Sequence, residues 1–268
     1  MSEVVPVVLT VAGSDPSGGA GLQADLKTIH QHGGYGAAVP TLITVQSTAG
    51  VEDVELLSAA LVEAQLASLL RDVTPAAAKT GALGSREVAE VVGAFMAKSG
   101  FPWVVDPVWL PSRGRPLSKG DIVEAYKEAV LPVAALVTPN AQEAGLLAEI
   151  AVRTVDDARE AAARIAGRGA RSVLVKGGHL QGPERGTDVL LHEDTFTELP
   201  PDELVPGRFH GTGCAFSAAI ATRLAFGDDV VAAVATSKQW LTGALREAFA
   251  VGQGATPVNH LWPVASKP

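Results

Sequence analysis

Short apolar runs that end on a polar residue or a glycine, each followed by a stretch with helical spacing, recur along this 268-residue chain. The runs Val4–Ala12, Ala37–Val45, Ala76–Ala78, Trp103–Val105, Ala134–Val137 and Ser172–Val175 show no clean alternation, as expected of strands covered on both faces. Between them the spacing predicts helices at Leu22–His32, Ala59–Arg71, Ser85 to about Lys98, Asp121–Leu131, Ala141–Glu149 and Val155–Arg168. Ser58, Ser85 and Thr154 read as N-caps, and Gly33-Gly34 as a helix stop. Such alternation demands βαβ units, and hence an α/β fold with a mostly parallel sheet and helices on both faces. Val51–Leu57 reads as a further short strand, Asp188–Glu198 as a hairpin, and the region near Val230–Phe249 as a last helix. No internal repeat, low-complexity tract or linker divides the chain, so residues 1–268 read as one domain.

Sheets of this kind bind ligands beyond the carboxyl ends of their strands. Ser14/Asp15, Gln46, Lys79/Thr80, Asp106, Asn140 and Lys176 all fall at such ends. Core packing gives no reason for that placement; a site does.

One loop stands out among them. His210-Gly211-Thr212-Gly213-Cys214 runs into a helical pattern in which Phe216, Ile220 and Leu224 recur at four-residue spacing and Gly227 ends the run. A glycine loop opening a helix gathers unpaired N–H donors and the positive end of the macrodipole, which suits an anion. The thiol delivered there is the only cysteine, and a helix N-terminus is expected to lower its pKa, making Cys214 a base or nucleophile. The plainer alternative is a small buried hydrophobe between closely packed glycines.

Composition narrows what the anion and its carrier can be. With 47% hydrophobic and 19% charged residues the chain can bury a sizeable core. A net charge of −8 disfavours nucleic acid and anionic membranes as partners. A phosphate must then be met by local amides, a few cations and a metal. A single cysteine rules out an internal disulfide framework and fits a reducing cytoplasm. The start, Met1-Ser2-Glu3-Val4, lacks a leader pattern and no apolar run approaches about 20 residues, so a cytoplasmic location is expected.

Each candidate has a chemical and a structural reading. Gly19-Ala20-Gly21-Leu22-Gln23-Ala24 fits G-x-G-x-x-A, but the acidic residue a dinucleotide needs is replaced by Gln46; a Walker A loop is absent. Asp106, Asn140 and Glu143 can organise Mg²⁺, while Asn140 and Glu143 equally fit a capping box. Lys176 ends an apolar strand and suits a phosphate clamp, or else snorkels to the surface. By spacing Asp25 reads as an exposed helix carboxylate. His210 reads as a local hydrogen-bond partner, and a cysteine hydrolase using Cys214 and His210 lacks an orienting third group. An amide cluster, a lysine, metal ligands and one activatable side chain together describe phosphoryl transfer.

The ordered motifs go further. Ala12–Thr28 (AGSDPSGGAGLQADLKT), Val45-Gln46-Ser47-Thr48, Lys79–Gly84, Asp106-Pro107-Val108, Thr138-Pro139-Asn140 with Glu143, Val175–His179, His210–Cys214 and the ending Gly252–Trp262 together cover nearly the whole chain. In these the chain resembles the hydroxymethylpyrimidine/phosphomethylpyrimidine kinases of thiamine biosynthesis, within the ribokinase-like superfamily. The resemblance implies a three-layer αβα sandwich, ATP with Mg²⁺, a homodimer, and two successive phosphorylations. These fall first on 4-amino-5-hydroxymethyl-2-methylpyrimidine and then on its monophosphate. Carried over, Gln46 and Asp25 match polar contacts to the pyrimidine, and Ala20, Ala82 and Val108 match pocket walls. Asn140, Glu143 and Lys176 match the phosphate and metal region, with Asp106 as a second metal candidate. Gly211, Thr212 and Gly213 match the anion hole, and Cys214 the position of the superfamily's usual aspartate base. The chain departs from the pattern at Trp109–Gly114, where a usual lysine is missing and Arg113 is the candidate replacement, at Arg208-Phe209, and at Ala215. A pyridoxal kinase is the nearest enzymatic alternative, and a non-catalytic pyrimidine-binding protein the alternative of another class.

Overall fold

Val7–Ser14 (β1) is buried along its length except at its ends, and so are the short strands that follow it in the sheet. A computed structural model describes residues 5–109 and 114–264. In it the chain runs from β1 through Gly21–Gln31 (α1), Tyr35–Ser47 (β2), Gly50–Leu56 (β3), Ala59–Leu70 (α2), Ala77–Thr80 (β4), Arg86–Lys98 (α3) and Trp103–Val105 (β5). It continues through Ile122–Ala125 (α4), Leu136–Val137 (β6), Ala141–Ala148 (α5), Val155–Ala166 (α6), Ser172–Val175 (β7), Asp188–His192 (β8) and Thr195–Leu199 (β9). Phe209–His210 (β10), Thr212–Ala225 (α7), Val230–Arg246 (α8) and Thr256–Pro257 (β11) complete it.

The sheet order is β3-β2-β1-β4-β5-β6-β7-β8-β9. Strands β2 to β7 pair in parallel, and antiparallel β3, β8 and β9 finish the two edges. Neighbouring residues on one strand feed opposite cores. Val8, Val104 and Leu174 join Ile29, Phe216 and Ile220 beneath α1, α7 and α8. Leu9, Val105 and Val175 join Leu66, Val92 and Ile165 beneath α2, α3 and α6. This is why the strands lack alternation: both faces are apolar because both are covered. The result is the three-layer αβα sandwich.

Since β1 lies between its successor β2 and the later β4, the chain leaves β1 to one side and returns on the other. That reversal opens a crevice past the carboxyl ends of β1 and β4. Helix α7 crosses β1, β4 and β5 at that place.

The predicted caps are present: Ser58, Ser85 and Thr154 each accept a backbone N–H from the first turn of their helices. Elsewhere the structure corrects the sequence. The helix expected over Asp121–Leu131 is α-helical only over α4, then a π turn at Tyr126–Val130 and a 3-10 turn at Leu131–Val133, where Pro132 has no N–H to continue the ladder. Strand β6 starts at Leu136 because the Ala134 N–H is spent on Leu131 O. The last helix stops at Arg246, short of Phe249. The two-residue pair β10–β11 carries too little pattern to be foreseen. Residues Val4 and Leu110–Arg113, on which parts of two expectations fall, lie outside the described residues.

Candidate active site

Gly211 opens α7 in the left-handed region (φ 74°), and a Cβ built there would lie 1.8 Å from Gly19 O, so only glycine fits. Its carbonyl accepts the first intrahelical bond from Ala215 N–H. The amides of Thr212, Gly213 and Cys214 therefore precede the helix ladder and keep the anion-binding character expected of them.

These amides face a cavity. It is also lined by Gln46, Ala20, Ala82 and Val108 and by Lys176, Asn140, Glu143 and Asp106. Twelve of the thirteen proposed site residues thus share one cavity, reached from the ends of seven strands, β1, β2, β4, β5, β6, β7 and β10. Lys176 is not snorkelling: its Nζ lies 2.6 Å from Asp106 Oδ1, with Asp106 buried and the lysine side chain 14% exposed. A Cβ on Gly213 would come within 3.0 Å of that Nζ and 3.5 Å of Asp106 Oδ2, so the missing side chain keeps this space clear.

Asn140 and Glu143 form the capping box in full, with Asn140 Oδ1 accepting Glu143 N–H at 2.9 Å and Glu143 Oε2 accepting Asn140 N–H at 2.7 Å. Capping leaves Glu143 strained electrostatically. Burial pushes its carboxyl up to about 7, Lys176 pulls it back, and Asp106 pushes it up again. Two hard oxygen donors crowded on one lysine fit a cation that arrives with phosphate. Among the described residues no cluster of three or more His, Cys, Asp or Glu forms a dedicated metal cage, and Mg²⁺, which keeps its waters and uses one or two carboxylates, does not need one.

Two expectations are corrected. Cys214 occupies the first turn of α7, but its thiol is not acidified. Burial pushes it up to about 11; Lys79 and the Gly21 N–H pull down, Asp25 and Asp106 push up, and desolvation wins. Asp25 is neither exposed nor in the cavity. It is fully buried, both oxygens lie 2.8 Å from Lys79 Nζ, and Oδ2 accepts Thr10 Oγ1–H at 2.7 Å. With its acceptors taken, it is not among the residues that line the cavity. Sequence spacing missed this because Lys79, a charge inside an apolar strand, was grouped with the strand ends; a lysine there must find a buried partner.

Asp15 was also undervalued. Its carboxylate accepts Ser17 N–H and Ser17 Oγ–H at 2.9 Å, Ala20 N–H at 2.8 Å, and lies 2.9 Å from His210 Nε2. Burial raises its pKa, but the bonds from His210 and Ser17 outweigh burial and hold it below the usual carboxylate range. His210 is the local partner expected, and Gln46 reaches the same ring nitrogen at 3.0 Å. The signal was there in sequence: an aspartate directly after β1, opening a glycine-rich turn.

Comparison with known proteins places the chain in a family. The family model described as phosphomethylpyrimidine kinase matches residues 15–259. The hydroxymethylpyrimidine/phosphomethylpyrimidine kinase of Rhizobium meliloti is 43% identical over 258 residues, covering 95% of this chain and 96% of its own. The thiamine biosynthesis bifunctional protein ThiED of Geobacter sulfurreducens is 41% identical over 255 residues, 95% of this chain and 52% of that protein, so the chain spans about half its length. Among solved structures, the pyridoxal kinase from Staphylococcus aureus in complex with AMP-PCP and pyridoxal superposes with a TM-score of 0.87 at 33% identity, covering 97% of this chain and 95% of that one. The sandwich is ribokinase-like.

Proposed function

The chain belongs to the phosphomethylpyrimidine kinase family, and we propose that it transfers the γ-phosphoryl group of ATP to the hydroxymethyl oxygen of 4-amino-5-hydroxymethyl-2-methylpyrimidine. It then phosphorylates the monophosphate to the diphosphate, in thiamine biosynthesis. The observation that carries this is the amide cluster at Thr212–Cys214 sharing one cavity with Gln46, read as the acceptor contact, and with Lys176, read as the phosphate contact.

In this reading the amides of Thr212 and Gly213 meet the equatorial oxygens of the migrating group, where fixed dipoles stabilise charge at no reorganisation cost. Lys176 leaves Asp106 for the phosphate tail as a point charge. Asp106 and Glu143 would hold Mg²⁺, which when bound neutralises charge on the phosphate oxygens. Asn140 orients the same end. Gln46 reads the pyrimidine edge, and Ala20, Ala82 and Val108 form the walls around the ring. Cys214 stands beside the acceptor oxygen and, in its minor thiolate form, takes its proton in the first step; the second acceptor is already anionic and has no such proton to lose.

A coupled ADP-release assay tests the function. The hydroxymethylpyrimidine and its phosphate should each turn over with kcat/KM well above that of pyridoxal, the second candidate because of the likeness to pyridoxal kinase. A preference for pyridoxal, or no ADP release with either pyrimidine, rejects the reading. Cys214→Ala should slow the first phosphorylation by about 10²–10⁴-fold and the second far less. With a thiol near 11, the wild-type first step should also accelerate from pH 7 to 9 while the second stays flat. Equal losses in both steps reduce Cys214 to packing.

The chain is taken to work as one catalytic domain in the cytoplasm; no helix among the described residues is long and apolar enough to cross a membrane. The homodimer expected from the resemblance is proposed to form through the outer face of β2–β3, where Ile43 and Val45 lie exposed beside Glu55 and Asp53.

A further inference from the structure

The acceptor end of the cavity contains a contest for one nitrogen. His210 Nε2 lies 2.9 Å from Asp15 Oδ2 and 3.0 Å from the amide end of Gln46. A ring nitrogen carries either a hydrogen or a lone pair, never both. Asp15 already takes Ser17 N–H, Ser17 Oγ–H and Ala20 N–H, bonds that only an ionised carboxylate accepts together, and it needs the hydrogen from the ring. Nε2 is therefore a donor. Were the Gln46 amino group turned toward it, donor would face donor at 3.0 Å. Turned by 180°, the amide places its carbonyl oxygen there and its amino group toward the cavity; the one Nε2 hydrogen is then shared between Asp15 Oδ2 and the Gln46 carbonyl, and no donor faces a donor.

The imidazole cannot evade the contest. Its backbone is pinned by the β10–β11 pair, and its edge packs where Gly19 has no side chain: a Cβ there would lie 2.7 Å from His210 Cδ2. Asp15 in turn closes the turn that carries Gly19 and Ala20. The arrangement is thus built on both sides.

We propose that His210, locked as the Nε2–H tautomer by Asp15, is a positioning residue that fixes which end of the Gln46 amide faces the substrate. The fixed amide donates to a ring nitrogen and offers its second carbonyl lone pair to a neighbouring amino group. It selects ligands presenting that pair in that order, an aminopyrimidine edge, over pyridine rings without the amino group. The inference rests on the pyrimidine kinase reading and deepens it.

The test combines proton-detected ¹⁵N spectra of the histidine side chains with three proteins: wild type, His210→Leu and His210→Gln. The resonance lost in His210→Gln assigns the ring. In neutral wild type, Nε2 should carry the hydrogen and Nδ1 should not; the reverse overturns the proposal whatever the activity. His210→Leu should raise the pyrimidine KM about 10- to 100-fold, with the ATP KM and saturated kcat within about threefold, because one polar partner is left unmatched. His210→Gln, which restores a donor near the Nε2 position, should recover most of that loss. The pyrimidine-over-pyridoxal ratio of kcat/KM should fall in the leucine variant and return in the glutamine variant. Equal KM in both variants, or an equal loss for both substrates, overturns the positioning role. Should the leucine variant fail to fold, the tautomer and the glutamine variant decide alone. A wild type inactive on the pyrimidine would reject the kinase reading while leaving the tautomer measurement standing.

Discussion

Gly213 is the residue whose absence of a side chain does the most. It sits in the first turn of α7 with ordinary helical backbone, so alanine there should gain up to about 1 kcal/mol in helix propensity. Yet the added methyl would stand 3.0 Å from Lys176 Nζ, in the space the proposed mechanism gives to the phosphoryl group. Gly213→Ala should keep or raise Tm while kcat falls by about 10²–10³-fold, the scale of losing a preorganised donor. Thermal melts and steady-state rates on one preparation check this, and a rate within threefold of wild type would separate the amide cluster from the chemistry. At this scale the sequence was informative wherever a residue type contradicted its surroundings: a glycine pair at a helix start, a lysine ending an apolar strand. It misled where the deciding quantity was burial. Cys214 had the dipole expected of it, but the crowding that outweighs the dipole comes from segments distant in sequence. Asp25 looked solvent-facing by spacing and is buried because Lys79 and Thr10 come to it from two strands.

Helix α5 shows how one element serves two ends. Its capping box is complete, which accounts for Asn140 and Glu143 structurally, and the same two side chains line the cavity. The box gives no reason for a carboxyl pushed up to about 7 by burial. A group raised this way favours the folded state fully below its unfolded value of 4.5, and that contribution is lost as pH rises through 7. Binding of a dication needs the ionised form, so Mg²⁺–nucleotide affinity should strengthen from pH 6 to 8 with uptake of the ion releasing protons. Glu143→Gln keeps an oxygen to accept Asn140 N–H and should flatten that dependence while lowering Mg²⁺-linked affinity. Calorimetry in buffers of differing ionisation enthalpy measures both, and an unchanged slope would remove Glu143 from the metal. Elements were well read from sequence where caps marked them, as at Ser58, Ser85 and Thr154. They were poorly read where a proline forced a change of ladder inside an otherwise helical pattern, as at Pro132.

For the whole molecule, the two buried histidines set the acid limit. His32 sits edge-on to Trp240 with ring centroids 4.7 Å apart, and neither of its nitrogens has a hydrogen-bond partner; His260 leaves Nε2 unpaired. Burial lowers both to about 4, helped by the charge of Arg223 for His32 and of Lys27 for His260. Their contribution is complete above the unfolded value of 6.5 and is lost as pH falls toward 4, on the order of 3 kcal/mol each. Denaturant melts at pH 8 and pH 5 should show about 2 kcal/mol of that loss per histidine, and His32→Phe, which keeps the ring contact, should remove about half of the total. An unchanged acid limb in this variant would mean the ring is hydrated.

The pairing of Thr256–Pro257 with Phe209–His210 has a consequence for how this fold can vary. The closing stretch of the chain reaches back to steady the strand that leads into the phosphate loop. A substitution at Thr256 or Pro257 is therefore transmitted through Phe209 and His210 to the glycine turn that opens α7.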